Sequence, residues 1–165
     1  MGEERLTDGG APPVRLRSFS SSLPMMLLRA REAIMRHFRA LLRQHEVTEQ
    51  QWRVLRALSS IDAIETSRLA QKVYLLPPSL SRILRDLDER GLIVRRPDAI
   101  DMRVGLITIS PAGRALIDAI SPQSESIYAE ITLRFGVDNL HTLQSLLLTL
   151  ETCMTEDGSG DAAPP

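Results

Sequence analysis

Apolar residues recur at three- and four-residue steps in six stretches of the chain, which is the spacing of one face of an α-helix. The first stretch begins after Ser22 and Pro24, residue types typical of a helix start, and continues to Leu42. The last runs from about Val137 to Met154 and carries a heptad-like series of leucines. These patterns predict a mainly α-helical protein.

Capping and turn residues mark where the middle helices begin and end. Residues 48–51, Thr-Glu-Gln-Gln, fit the capping box that opens a second helix, and a short third helix follows over about residues 65–74. Pro77 and Pro78 then mark the start of a fourth helix, because proline is tolerated only in a first turn. Gly91 ends that helix, since glycine readily adopts the left-handed conformation of a helix stop.

Two short segments rich in β-branched residues follow Gly91, the first of them directly. Residues 92–94 and 104–109 are rich in Ile and Val, with the turn-like pair Pro97-Asp98 between them. Ser110-Pro111 then restarts a long helix, in which Pro122 is a candidate bend. A helix followed directly by a two-stranded ribbon is typical of a winged helix. The predicted fold class is therefore mainly α with a small two-stranded β wing, a winged helix-turn-helix flanked by long terminal helices.

The same patterns predict a single folded unit between two tails. Residues 1–20 are rich in Gly, Pro, Ser and charge, and residues 156–165 form an acidic tail, so both are expected to be disordered. Residues 21–155 form the unit, with a winged-helix lobe over 47–110. Residues 21–46 and 111–155 are expected to be dimerisation helices.

The charge distribution favours a nucleic-acid partner although the net charge is only −1. Residues 66–114 hold nine Lys and Arg against five Asp and Glu, whereas residues 115–165 hold one against eight. Affinity for phosphate follows the local field, and the basic block coincides with the predicted winged helix. The chain has no run of 18 apolar residues and no signal peptide, so a cytoplasmic protein without a membrane partner is expected.

Polar residues on the fourth helix lie off its apolar stripe, where a recognition helix carries its base-reading groups. Arginine can bind guanine O6 and N7 with two hydrogen bonds, and serine can approach bases or phosphates closely. The alternative is an ordinary solvated helix face. The candidates at or near the start of this helix are Pro78, Ser79, Ser81, Arg82 and Arg85.

The ribbon and the third helix supply further candidates. Arg103 near the ribbon tip could enter a narrow minor groove, where negative potential is concentrated. Asp101 is either a partner that shapes the tip or an ordinary turn-capping aspartate, and both readings stay open. The remaining candidates are expected to contact the DNA backbone; they are Arg95 and Arg96 at the ribbon base, and Ser67 and Arg68 on the third helix.

The stretch from Ser20 to Met154 resembles the MarR family of bacterial transcription regulators. The segments that carry the resemblance are residues 48–55 (TEQQWRVL), 69–70, 87–93 (LDERGLI), 101–103 (DMR), 106–108 and 111–113. Residues 28–33, 48–52 and 78–80 are similar to the subgroup that regulates homoprotocatechuate (3,4-dihydroxyphenylacetate) degradation operons. One departure from the family is the end of the third helix, Val73-Tyr74-Leu75-Leu76, which lacks a frequent glycine.

The resemblance implies a homodimer in which the first, fifth and sixth helices interleave. It also implies binding to a pseudo-palindromic operator, usually as a repressor that a small phenolic or aromatic acid releases. Dimerisation is expected from the residues as well, because leucines nearly encircle the last helix and such a helix is normally buried on several sides. A monomer that packs this helix internally is the alternative.

Three residues are candidates for an effector site. On the first helix Arg31 falls within the apolar arc, and a guanidinium there suits a carboxylate held by two bonds. Trp52 lies off the apolar stripe of the second helix, with Arg56 one turn beyond. Internal pairing of Arg31 and interface packing of Trp52 are the alternatives. The expected effector is a small aromatic or phenolic acid such as 3,4-dihydroxyphenylacetate.

Other functional classes are less well supported by the sequence. No catalytic constellation accompanies the three scattered histidines, so an enzyme is not expected, and neither a metal nor a cofactor is implied. Cys153 is the only cysteine, which excludes an intrachain disulfide but leaves a thiol-based redox switch as a rival to ligand control. A winged helix used only for protein–protein assembly is a further alternative.

Overall fold

The computed structural model describes residues 18–97 and 105–156. These described residues fall into two compact units, one up to Arg36 and one from His37 onward. The helices are α1 (Leu23–Gln44), α2 (Glu49–Ser59), α3 (Thr66–Lys72), α4 (Pro77–Glu89), α5 (Pro111–Phe135) and α6 (Val137–Glu156), and the strands are β1 (Ile64–Glu65), β2 (Ile93–Pro97) and β3 (Gly105–Ile109). The predicted mainly α fold with a small β wing is confirmed.

The sheet contains one strand more than the predicted ribbon. Its order is β1-β3-β2, and both pairings are antiparallel. In the added pairing Ile64 lies opposite Ile107, and Glu65 lies opposite Leu106. A strand of two residues is too short to show the period of two by which strands are found in a sequence. The pairing fixes the start of α3 to the base of the wing.

The core of the winged-helix lobe lies between α2, α3, α4 and the sheet. The apolar stripe predicted for the fourth helix is fully internal, with its leucines at 0% exposure. Truncating a leucine in such a position to alanine typically costs about 2–5 kcal/mol. Burial of this stripe turns the opposite, polar face of α4 outward. The stripe consists of Leu80, Ile83, Leu84 and Leu87.

The helix starts follow the residue types that predict them. The Thr48 hydroxyl oxygen accepts a bond from the Gln51 N–H at 3.2 Å, and the Gln51 side-chain oxygen accepts from the Thr48 N–H at 2.7 Å. The predicted capping box is therefore present. Before α4, where the family often has glycine, Tyr74 adopts the left-handed conformation at φ +51°. The turn into α4 is thus made without glycine, at a cost in backbone strain.

The terminal segments and Pro122 differ in part from expectation. Residues Phe19–Ser21 form a short 3₁₀ helix, and the Ser22 hydroxyl donates to the Phe19 carbonyl at 2.9 Å. The final helix includes Glu156. The rest of both tails lies outside the described residues, so their disorder stays a prediction. Pro122 lies inside α5, which continues as helix on both sides of it.

Four elements meet at a junction formed by Gly91, Leu92, Ser110 and Gly113. The Ser110 hydroxyl donates to the Gly91 carbonyl at 2.6 Å and accepts from the Gly113 N–H at 3.0 Å. The Ser110 N–H donates to the Leu92 carbonyl at 3.1 Å. A Cβ atom on Gly113 would lie 2.1 Å from that same carbonyl oxygen, so only glycine allows this approach. This Gly–Ser junction joins the end of α4, both wing strands and the start of α5.

Substituting Gly113→Ala tests the junction. We expect the free energy of unfolding to fall by about 2 kcal/mol or more, because a backbone carbonyl rather than a flexible side chain opposes the new methyl group. Urea denaturation at a fixed protein concentration measures the loss. Gly105→Ala is the matched control, since its added Cβ would meet, among the described residues, only the Thr66 hydroxyl at 3.9 Å. Equal denaturation midpoints for the two variants would contradict the assigned role of Gly113.

Candidate DNA-binding surface

The outward face of α4 presents two arginines. Arg82 and Arg85 are exposed, as is Ser81, while Ser79 is half-buried one turn nearer the helix start. Within the described ranges, neither arginine forms a hydrogen bond or ion pair with another residue. Guanidinium groups held on a rigid helix and left without internal partners are available to bind an external acceptor. The structure therefore brings together the residues predicted on this helix.

The position of α4 is fixed by a polar contact that the sequence did not reveal. The buried Gln51 side chain donates to an Asp86 carboxylate oxygen at 2.5 Å, and the Arg90 guanidinium lies 3.7 Å from that same oxygen. Gln51 thus caps α2 and binds α4 at once. The capping-box pattern predicts the role of Gln51 at the start of α2. Its bond to Asp86, 35 residues away, leaves no periodic pattern in the sequence.

A second contact joins α2 to the end of α3. The Arg53 guanidinium donates to the Val73 carbonyl at 3.0 Å and lies 3.4 Å from the Glu49 carboxylate. Arg39 also pairs with Glu49, at 3.1 Å. Pairs of this exposure contribute about 1 kcal/mol or less. Their effect here is geometric, because the Val73 carbonyl that Arg53 binds lies at the start of the turn that leads into α4.

The strand arginines lie on opposite faces of the wing. Arg95 pairs with Ile107 and Arg96 with Leu106, and consecutive strand residues point to opposite sides. Both arginines are exposed. They are therefore available to bind phosphates, but not the same phosphate from the same side. Asp101 and Arg103, at the predicted wing tip, lie outside the described residues.

The α3 candidates are exposed at the start of that helix. The Arg68 guanidinium lies 3.9 Å from the Glu65 carboxylate, a long and weak ion pair. Ser67 is exposed beside it. Because Glu65 is paired with β3, both residues are held close to the wing base. Their placement suits the predicted contacts with a DNA backbone.

Tyr74 links the turn before α4 to the last helix. Its hydroxyl donates to the Glu151 carboxylate at 2.6 Å. This bond to a carboxylate and the nearby negative charge raise the pKa of Tyr74 above its ordinary value of 10.0. Ionisation of the tyrosine in alkali removes the donated proton, so the bond is lost at high pH. No short-range pattern in the sequence predicts a contact between residues so far apart.

The three effector candidates lie in different surroundings. In the first unit Arg31 is exposed over 42% of its side chain, and its guanidinium lies 3.0 Å from the Glu32 carboxylate. Its apolar neighbours Leu27 and Ile34 are exposed too, so this part of the predicted apolar arc is not buried, whereas its end at Phe38, Leu41 and Leu42 is. In the second unit Trp52 packs against the core, and the Arg56 guanidinium lies 5.8 Å from its ring centre, a cation–π contact.

The described residues contain neither a metal centre nor a membrane helix. No three His, Cys, Asp or Glu side chains in those ranges are grouped so as to hold a metal ion. None of the helices in the same ranges combines the length and apolar character needed to cross a bilayer. Cys153 on α6 is exposed.

Comparison with known proteins identifies relatives over most of the chain. The MarR family profile matches residues 47–104. The chain is 35% identical over 143 residues to the homoprotocatechuate degradative operon repressor of Escherichia coli, which covers 85% of this chain and 97% of that protein. It is 33% identical over 130 residues to the HTH-type transcriptional regulator FarR of Neisseria gonorrhoeae, covering 79% and 89%.

A solved structure agrees with these sequence matches. The crystal structure of NadR in complex with 4-hydroxyphenylacetate superimposes with a TM-score of 0.72 and 32% sequence identity, covering 83% of this chain and 97% of that one. The shared fold extends well beyond the profile match at residues 47–104.

Proposed function

The chain belongs to the MarR family of transcriptional regulators, and we propose that it is a homodimeric repressor of an aromatic-compound catabolic operon. A small aromatic or phenolic acid would release it from its operator. Proteins of this family regulate transcription and are not enzymes. The observation that carries the proposal is the pair of exposed arginines on α4, which form no hydrogen bond or ion pair with other described residues and lie beside a wing that shares the same core. Such a repressor would act in the cytoplasm.

In the proposed complex α4 lies in the major groove. Arg82 and Arg85 would bind base edges, because a guanidinium matches guanine O6 and N7. Contacts to the sugar–phosphate backbone would fix the register of the protein. We assign those contacts to Ser67, Arg68, Ser79, Ser81, Arg95 and Arg96, while Pro78, which has no N–H, would contact DNA only through its apolar ring. The wing-tip residues Asp101 and Arg103 are retained as minor-groove candidates on the strength of the sequence alone.

The homodimer is supported by apolar surface on the terminal helices. On α6, Leu146 and Leu148 are 62% and 65% exposed, and none of its described side chains is buried. Leucines so exposed on one helix are unfavourable in water, and their burial against a second copy would gain about 25 cal/mol for each Å² covered. Two copies would place two α4 helices in major grooves about 34 Å apart on a pseudo-palindromic operator.

The names of the relatives support a phenolic acid as the effector. One relative is named for a homoprotocatechuate operon, and another was solved with 4-hydroxyphenylacetate. We propose 3,4-dihydroxyphenylacetate or a similar phenolic acid as the effector. Arg31 stays the candidate for binding its carboxylate, and Trp52 and Arg56 stay the candidates for contacting its ring, on the strength of the sequence. A ligand acts only through unequal affinity for two states, so it must favour a dimer that fits the operator poorly.

A redox function is the second candidate, because Cys153 is exposed on the helix proposed to form the dimer. Oxidation to a sulfenic acid, or a disulfide between two copies, would alter that surface. Peroxide treatment of the wild type and of Cys153→Ser separates this mechanism from ligand control.

Arg82→Ala should weaken operator binding by about 5- to 150-fold for each half-site and relax base preference at one position in each. Arg96→Ala should instead weaken binding to all duplexes and make the salt dependence shallower by about two counterions per dimer. An operator selected from random duplexes, titrated by fluorescence anisotropy at several salt concentrations, provides both readouts.

Arg134→Ala is the control for these variants, since this exposed α5 arginine already pairs with Glu130. Its operator affinity should match the wild type. A wild-type protein that binds no duplex even at low salt would overturn the DNA-binding proposal and leave the assembly-module alternative.

The double variant Leu146→Asp, Leu148→Asp should be monomeric at micromolar concentration. Desolvating two carboxylates in an apolar interface costs more than the interface gains. Sedimentation velocity should report a species near 18.4 kDa for the variant and twice that mass for the wild type. Gln71→Asp on α3 introduces an aspartate at an exposed position away from α6 and should stay dimeric. A monomeric wild type would refute the dimer.

Saturating 3,4-dihydroxyphenylacetate should shift the operator-binding midpoint by about 5- to 150-fold, the usual range of coupling between two sites. Parallel titrations with 4-hydroxyphenylacetate and phenylacetate measure what each hydroxyl contributes. Arg31→Ala should abolish the shift while leaving operator affinity without ligand unchanged. An unaltered midpoint at saturation removes that compound from consideration.

A further inference from the structure

The start of α4 is apolar and exposed, in contrast to the cationic face that follows it. Leu76 caps the helix and is 74% exposed, and Pro77 and Pro78 occupy the first two helical positions, also exposed. An exposed leucine by itself is ordinary. Here, however, three consecutive apolar residues lie at the tip of a helix that we propose enters a DNA groove. Phosphate binding does not explain them.

The tip is poorly suited to bind a phosphate. A helix start normally offers several free N–H groups, which bind anions together with the helix dipole. Pro77 and Pro78 have no N–H, and the Leu80 N–H already donates to the Leu76 carbonyl at 3.0 Å. Among the first three helical residues, only Ser79 keeps an N–H to offer. The surface at the tip is therefore mainly hydrocarbon.

The same prolines hold Leu76 in place. A residue before proline is restricted to extended conformations, and Leu76 has φ −65° and ψ 141°. The backbone before it is also constrained, since the Leu75 N–H donates to the Ala70 carbonyl at 3.1 Å. Little backbone entropy remains to be lost when Leu76 contacts a ligand. A rigid apolar tip of this kind can discriminate between apolar partners.

The major groove offers one apolar group at a base edge, the C5 methyl of thymine. We propose that Leu76, flanked by Pro77 and Pro78, contacts a thymine methyl in each operator half-site and so selects thymine beside the bases read by Arg82. This inference rests on the proposed function, since it requires α4 to lie in the major groove. Leu76 would then recognise an apolar group at a base edge, whereas Arg82 would recognise hydrogen-bonding groups.

Replacing thymine with deoxyuridine removes only that methyl group and keeps base pairing intact. In a selected operator, each thymine and its symmetry mate are replaced in turn, and affinity is measured by fluorescence anisotropy. Wild-type affinity should fall about four-fold per lost methyl, and so about fifteen-fold per symmetric pair, at one position. For the Leu76→Ala variant, the ratio of the affinity for the operator with thymine to the affinity for the operator with uracil at that position should approach one.

Arg96→Ala is the matched control, because loss of a phosphate contact should lower both affinities and preserve their ratio. If the wild type binds tightly but its affinity is the same with thymine and with uracil at every position, this inference is overturned and the proposed function is not. A wild-type ratio that survives in Leu76→Ala also overturns it, since the methyl is then read by another group or acts through DNA stiffness. Failure to bind any duplex instead overturns the proposed function, and this inference with it.

Discussion

The packing of Gly113 against the Leu92 carbonyl is the constraint on which the geometry of the DNA-binding lobe depends. It allows Ser110 to bond the Gly91 carbonyl, the Leu92 carbonyl and the Gly113 N–H within one turn of chain. The recognition helix, the wing and α5 are thereby joined at one place. The wing cannot be displaced from α4 without breaking these bonds, so both should engage DNA as one rigid surface.

Two further contacts hold α4, one near its last turn and one ahead of its first turn. Gln51 bonds Asp86 from the start of α2, while Arg53 binds the Val73 carbonyl ahead of the turn in which Tyr74 adopts a left-handed conformation. Asp86 of α4 thus has partners within the fold, whereas Arg82 and Arg85 form no hydrogen bond or ion pair with any other described residue. This separation of structural from exposed charge explains how a chain of net charge −1 can present a basic surface.

The sequence predicted those features that local spacing determines. The stripe of α4 has a helical period, and the capping box at Thr48 is a four-residue pattern, so both were found. The sequence did not predict strand β1, because two residues show no periodicity. It did not predict the bond between Tyr74 and Glu151 either, because only folding brings these two residues together. Arg31 lies on the predicted apolar arc, but periodicity cannot tell whether its own chain or a partner covers that arc.

Two contacts offer routes from the proposed dimerisation helices to the recognition helix. The Gly–Ser junction joins α5 to the end of α4, and the Tyr74–Glu151 bond joins α6 to the turn before α4. Because these contacts lie at the two ends of one helix, a ligand that shifts α5 relative to α6 would rotate α4 rather than merely translate it. Such a rotation would move Arg82 and Leu76 together away from the base edges that we propose they contact. Release of the operator then requires only that the ligand favour the rotated arrangement by a few kcal/mol.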